Sequence, residues 1–244
     1  MALTSLGLAP LLAPAVATDG VQPVATSAID QVVTGSVSET VKAAPSTASA
    51  AFKAALGLVA SGDYAEAYDA AKTLPSDAER RAVQWAAIYF GGGKVDYTAV
   101  LRFSADAPAF ASTPVFKTRL EQALTKAGPD PKTVIKVLGG AMPNTIDAQI
   151  ALAEAYVAEG NTKRAASIAR TIWVENFLDR GSEGKVLRKL GELLTPADHW
   201  DRAVHLMMHD RAAAVERLMT FMTPAQQSLA TARNATSRNA KNAK

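Results

Sequence analysis

Alanine- and leucine-rich segments dominate the chain from residue 46 onward, and glycine, proline or asparagine interrupts them at short intervals. The segments are roughly 10–18 residues long, which is an ordinary helix length. None of them alternates apolar and polar residues in the manner of a strand over more than a few positions. The pattern therefore predicts an all-α fold whose helices are separated by breaks at 62–63, 74–77, 91–93, 106–108, 128–131, 139–144, 160–161, 180–182, 195–196 and 223–224.

Helix start signals stand beside several of these breaks. Thr113, Thr195 and Thr223 each precede a proline, which places a capping hydroxyl before a proline at the first helical position. Thr195 is followed three residues later by Asp198, a variant of the capping box. Ser76 or Asp77 can cap another helix in the same way.

A repeat of small residues runs through the helical region. A glycine followed by alanines five and nine residues later occurs twice, as Gly62, Ala67 and Ala71 and as Gly160, Ala165 and Ala169. The glycine would turn the chain, and the two alanines would let the next helix pack closely. A weaker third copy has Asp210 at the turn. The repeat predicts an α-superhelix over 46–235, a right-handed tetratricopeptide-like solenoid of helical hairpins; the alternative is an irregular all-α bundle.

The composition excludes several classes of protein. The 244 residues include 50 alanines and no cysteine, which rules out disulfide scaffolds, cysteine nucleophiles, iron–sulfur clusters and zinc fingers. The net charge of +3 is concentrated at the end of the chain, where residues 229–244 carry four basic residues and no acid. We therefore predict a basic disordered tail over 236–244 and no binding to nucleic acid, which would need a basic folded face.

The N-terminus has the pattern of a secretory signal. Residues 2–16 are uncharged and apolar, and Ala15-Val16-Ala17 forms a small-x-small cleavage pattern. Pro10 and Pro14 interrupt the stretch, which is too short to span a membrane. No lysine or arginine precedes it, so an alanine-rich disordered tail remains the alternative. We predict a signal-like segment over 1–17, a disordered linker over 18–45, export to a bacterial periplasm and no transmembrane span.

Two stretches of the chain resemble soluble lytic transglycosylases. Residues 193–207, LLTPADHWDRAVHLM, are similar to that family's L-T-x-x-D-H-x-x-R-x-x-x-L element, and residues 166–177, ASIARTIWVENF, to its A-x-x-A-R-x-x-W helix. The resemblance is best over 145–235. It implies an α-superhelical scaffold that shapes access of peptidoglycan strands, in which the matching positions have structural roles: Arg170, Trp173, Thr195, Asp198, His199 and Arg202.

The catalytic signature of that family is missing. Its members cleave glycan strands with one glutamate in an E-S-x-F/L context, followed by a G-x-x-G-L-M-Q stretch, in a lysozyme-like domain. Here only Ser182-Glu183-Gly184 pairs the two residue types before a glycine, and in the wrong order. We therefore expect no catalytic residue and no cleavage by this chain alone, which would be the scaffold portion without the catalytic domain. Whether Lys244 is a natural terminus stays open.

Other chemistry finds little support in the sequence. His205 and His209 stand four residues apart, but Leu206-Met207-Met208 between them lack the glutamate of a zinc hydrolase. Gly91-Gly92-Gly93-Lys94 lacks the spacing of a phosphate loop and predicts a turn between helices. We predict no metal and no cofactor. The alternative to the scaffold is a stand-alone periplasmic adaptor that binds a protein partner, with a metal-dependent hydrolase ranked last.

Overall fold

The computed structural model describes residues 48–242, with side chains through Ser237. In this range the chain is all-α, as predicted, and none of its helices is long and apolar enough to cross a membrane. The segments predicted at 1–17 and 18–45 lie outside the described residues. The α-helices are α1 (Ala50–Ser61), α2 (Tyr64–Ala71), α3 (Asp77–Phe90), α4 (Tyr97–Asp106), α5 (Pro108–Ala111), α6 (Pro114–Ala127), α7 (Pro131–Leu138), α8 (Ile146–Ala158), α9 (Thr162–Glu175), α10 (Arg180–Leu190), α11 (Pro196–Met208), α12 (Ala212–Glu216) and α13 (Pro224–Asn242), with 3₁₀ turns at Gly191–Leu193 and Met219–Phe221.

The helices begin where side-chain oxygens satisfy free backbone amides. Ser76, Thr113, Thr195 and Thr223 each accept a hydrogen bond from the amide three residues later. At the start of α11 the capping box is complete, because the Asp198 carboxylate in turn accepts from the Thr195 amide at 2.8 Å. The first turn of a helix leaves its amides without partners, and these caps supply them.

The two glycine turns of the repeat have the same geometry. Gly62 and Gly160 adopt φ angles of 87° and 77°, in the left-handed region that glycine tolerates best. In both, the glycine amide donates to the carbonyl three residues back, and the following amide donates to the carbonyl five residues back. Asp210, with φ 54°, makes the same pair of bonds in the third copy. All three positions end a helix in a Schellman motif and turn the chain back.

The alanines of the repeat are buried between helices. Ala67, Ala71, Ala165 and Ala169 are all 0% exposed, and small side chains at such positions allow two helix axes to approach. The buried residues form two hydrophobic cores, one around α1–α6 and one around α6–α13. Within residues 48–242 the main packing contacts join elements that are neighbours, or near neighbours, in chain order.

One predicted break between helices is wrong. The break expected at 180–182 lies inside α10, because Asp179 accepts from the Ser182 amide at 2.7 Å and starts the helix before the glycine. At the other end of the described range, α13 runs through Asn242 and so includes residues 236–242. There the Ser237 hydroxyl donates to Asp210 at 2.7 Å, which holds the last helix to the third turn. Residues 243–244 lie outside the described range.

The left-handed turns predict opposite effects for two glycine-to-alanine substitutions. Gly160→Ala should lower the free energy of unfolding by about 1 kcal/mol, because alanine resists a positive φ, although its methyl group would contact nothing within 4 Å. Gly57→Ala is the matched control. Gly57 lies within α1 and its added methyl group is equally unobstructed, so alanine should raise the free energy of unfolding by up to about 1 kcal/mol. Urea denaturation followed by circular dichroism measures both, and a stabilised Gly160→Ala variant would contradict the turn geometry.

Candidate functional site

A charged side chain lies fully buried in the middle of α11. Arg202 is 0% exposed, and its guanidinium donates to the carbonyls of Trp173 and Asn176 at the end of α9, the latter at 3.1 Å. Its other terminal nitrogen donates to Glu183 on α10 at 2.7 Å. The last carbonyls of a helix lack partners within that helix, so Arg202 satisfies the end of α9 while it joins three helices.

Glu183 is held between two arginines. Arg202 binds one carboxylate oxygen and Arg217, which follows α12, donates to the other at 2.5 Å. Burial acts to raise the pKa of Glu183, but the hydrogen bonds and charges of Arg217 and Arg202 outweigh it and lower the pKa. The carboxylate is therefore ionised. A glycosidic general acid needs the opposite shift, so this glutamate is unsuited to that role.

One aromatic ring lies against the buried arginine, and a second packs on that ring. Trp173 is 0% exposed and lies with its ring 4.4 Å from the Arg202 guanidinium, within cation–π range. His199 meets the Trp173 ring edge-on at 5.5 Å and stacks on Phe221 at 4.1 Å. Burial lowers the pKa of His199 against the opposing charge of Asp198, so the imidazole is neutral at pH 7 and packs as an aromatic ring.

A second ion pair fastens the start of α11 to α9. Arg170 donates to Asp198 and, at 2.6 Å, to Asp201. Asp198 also accepts from the Thr195 amide and hydroxyl, each at 2.8 Å. Burial acts to raise the pKa of Asp198, but these hydrogen bonds and Arg170 lower it. The carboxylate is consequently ionised and serves both the capping box and the contact between the helices.

The structure brings the six residues of the resemblance together. Arg170 and Trp173 belong to α9, Thr195, Asp198 and His199 lie at or near the start of α11, and Arg202 lies in its middle. We call this group, with Glu183 and Arg217, the α9–α11 junction. Sequence reasoning missed the last two. The available signal was the position of Glu183 three and seven residues before the buried Val186 and Leu190, where an acid on an apolar stripe indicates a buried ion pair.

The histidine pair lies outside this junction and at the end of α11. The His205 and His209 rings are 4.5 Å apart, and His209 Nδ1 lies 2.8 Å from the His205 carbonyl oxygen. Phe177 contacts both rings at 5.1 Å. Across the part of the chain that the structure describes, no group of three or more histidines and acids is arranged to hold a metal ion.

The triple-glycine turn packs against α6. Gly93 has φ 79°, and an added Cβ would lie 2.8 Å from the backbone of Gln122. Lys94 donates to the Gly62 carbonyl at 3.2 Å and lies over the Tyr64 ring. The glycine is therefore required by a close helix contact, and the lysine is engaged by the neighbouring turn.

Comparisons with models of protein families, with curated proteins and with solved structures find no match. Function must therefore be inferred from this chain's own geometry. The α9–α11 junction satisfies nearly all of its charges internally, which is typical of a site that fixes helix positions.

The junction predicts a large cost for removing one charge. Arg202→Met should lower the free energy of unfolding by about 3–5 kcal/mol, because it leaves a buried carboxylate with one partner fewer and two uncapped carbonyls. Arg164→Met, an exposed position on the neighbouring α9, should change it by less than about 0.5 kcal/mol. The double variant Glu183→Gln with Arg202→Met should lose less than the two single losses together. Equal stability of the two arginine variants in urea would contradict the buried ion pair.

The neutral imidazole predicts a pH dependence. Since the pKa of His199 is lowered below 6.5 in the folded protein, the unfolded chain binds the proton more readily. The contribution of the neutral His199 to the free energy of unfolding is fully present above pH 6.5. It is lost as the pH falls from there toward the pKa of the folded state. His199→Phe should make the free energy of unfolding fall less steeply as the pH is lowered. Part of the fall should remain, because the pKa of His205 is also lowered. Thermal unfolding from pH 8 to 5 measures the effect, and identical slopes in the two proteins would contradict it.

Proposed function

We propose that this chain is the periplasmic α-superhelical scaffold portion of a soluble lytic transglycosylase. Its role would be to shape the access of peptidoglycan strands to a lysozyme-like catalytic domain, with no cleavage by the scaffold itself. The observation that carries the proposal is the convergence of Arg170, Trp173, Thr195, Asp198, His199 and Arg202 on the α9–α11 junction. Residues singled out as two separate sequence elements form one interface between two helices.

The repeated turns support a solenoid of helical hairpins as the arrangement of the helices. Gly62, Gly160 and Asp210 reverse the chain with the same hydrogen bonds, and each turn is followed by a helix with a fully buried small or branched side chain, at Ala67, Ala165 and Val215. Repeated hairpins whose contacts stay close in chain order are the units of a solenoid. We therefore propose a right-handed tetratricopeptide-like arrangement of these hairpins.

The non-catalytic role is supported by the state of the candidate acids. Glu183 is an ionised partner of two arginines. Asp198 and Asp201 both bind Arg170, with Asp198 also in the capping box. A glycoside hydrolase or lyase needs one carboxylic acid that keeps its proton near neutral pH, whereas the pKa values of Glu183 and Asp198 are lowered, which stabilises both in the charged form.

Incubation with purified murein sacculi tests the proposal. The chain should release no anhydro-muropeptides into the supernatant, measured by liquid chromatography and mass spectrometry beside an active lytic transglycosylase. It should be retained on pelleted sacculi more than an unrelated helical protein of similar charge. Release of anhydro-sugars would contradict the non-catalytic role, and loss of all retention would contradict the scaffold.

A stand-alone adaptor is the second candidate, and one observation favours it. Neighbouring open depressions lie along α2, α4, α6, α8 and α10 and are lined partly by alanines, which leaves space for a segment of another protein. Capture of one stoichiometric protein partner, with no retention on sacculi, would favour this function over the scaffold.

A further inference from the structure

Three neighbouring depressions on the surface share some of their lining residues. The first, of about 500 Å³, lies between α2, α4, α6 and the triple-glycine turn. It shares Tyr68, Lys72 and Arg102 with a second of about 380 Å³ and shares Lys126 with a third of about 550 Å³ beside α8 and α10. We call this surface the basic groove.

The groove carries a surplus of positive charge. Nine lysines and arginines line it against five acids. Three of the acids already pair with groove lysines, and Asp96 caps α4. Five exposed cations have no ion pair with any described residue: Arg81, Lys94, Arg102, Lys126 and Arg188.

The dimensions of the groove suit an extended chain. Its lining includes the small side chains Ala65, Ala99, Ala127 and Ala151, and its cations lie on elements from α3 to α10. Packed helices lie about 8–10 Å apart, so five helices side by side span roughly 35 Å. An extended polypeptide of about ten residues covers that distance.

We propose that the basic groove binds an extended acidic segment of a partner protein, whose carboxylates pair with Arg102, Lys126 and Arg188. This inference does not rest on the transglycosylase proposal. The unpaired cations supply charge complementarity, and arginine in particular can bind a carboxylate through two parallel hydrogen bonds. The small lining residues would let the segment's backbone approach the helices.

Other polyanions fit this surface less well. Asp69, Asp106, Asp147 and Glu154 are interleaved with the cations, which opposes a uniformly charged polyphosphate such as a nucleic acid. The exposed aromatic rings Phe90, Phe110, Phe177 and Phe221 do not line the groove, so bases or sugar rings would find no exposed stacking surface there. A peptide with spaced carboxylates can match both signs of charge.

Fluorescence anisotropy of the full chain with labelled decapeptides tests the inference. The probe alternates glutamate with serine, and its control has glutamine in place of glutamate. The glutamate peptide should bind and the glutamine peptide should not, and raising the salt from about 0.05 to about 0.3 M should weaken binding several-fold. The triple variant Arg102→Gln, Lys126→Gln and Arg188→Gln should weaken it about tenfold.

A second triple variant controls for net charge. Lys132→Gln, Lys136→Gln and Arg164→Gln remove three exposed cations of α7 and α9, none of which lines the groove, and should leave peptide affinity within twofold. Circular dichroism establishes that both variants fold. Equal binding of the glutamine peptide, an equal loss in both variants, or tighter binding of an oligonucleotide would overturn the inference. The peptide arm contains no murein, so its outcome is separate from that of the sacculi assay.

Discussion

Burial of the Glu183 carboxylate is the constraint on which the second half of the fold depends. Removing a carboxylate from water costs several kcal/mol unless opposite charges and hydrogen bonds replace its hydration. Arg202 and Arg217 do so from two directions, and the positions of those side chains fix α11 and the end of α12 relative to α10. Because Arg202 also caps α9, one carboxylate determines how four helices meet.

The same physical solution recurs where other helices begin. Glu121 on α6 is 0% exposed and accepts from the amides of Asn144 and Thr145, both at 2.8 Å, just before α8. Glu79 on α3 accepts from the Ser49 amide and hydroxyl at the start of α1. In each case an acid on one helix accepts hydrogen bonds from free amides at the start of another. Such a contact orients the two helices more specifically than apolar packing can.

Local patterns in the sequence were sufficient to predict the helices and turns. They were not sufficient to predict the ion pairs between helices. The Thr195 capping box and the glycine turns at 62 and 160 could be predicted because their partners lie within five residues. Glu183 and Arg217 are 34 residues apart, and no spacing rule connects them. The basic groove was missed for a similar reason: Arg102, Lys126 and Arg188 come from three helices, and a count along the chain finds only the basic residues at its end. The break expected at Gly181 failed because the Asp179 cap outweighs a glycine in the first turn.

The third turn shows why a residue less suited than glycine can be retained. Asp210 adopts the left-handed conformation at a cost that glycine avoids. Its carboxylate, however, accepts from Arg233 at 3.0 Å and from Ser237 at 2.7 Å, both on α13. Glycine would relieve the backbone and release the helix, whereas asparagine would tolerate the backbone but lose the charge on the Arg233 contact. The Asp210 side chain thus joins the turn after α11 to the last helix. Gly62 and Gly160, at the turns of the first two copies, have no side chain to make such a contact.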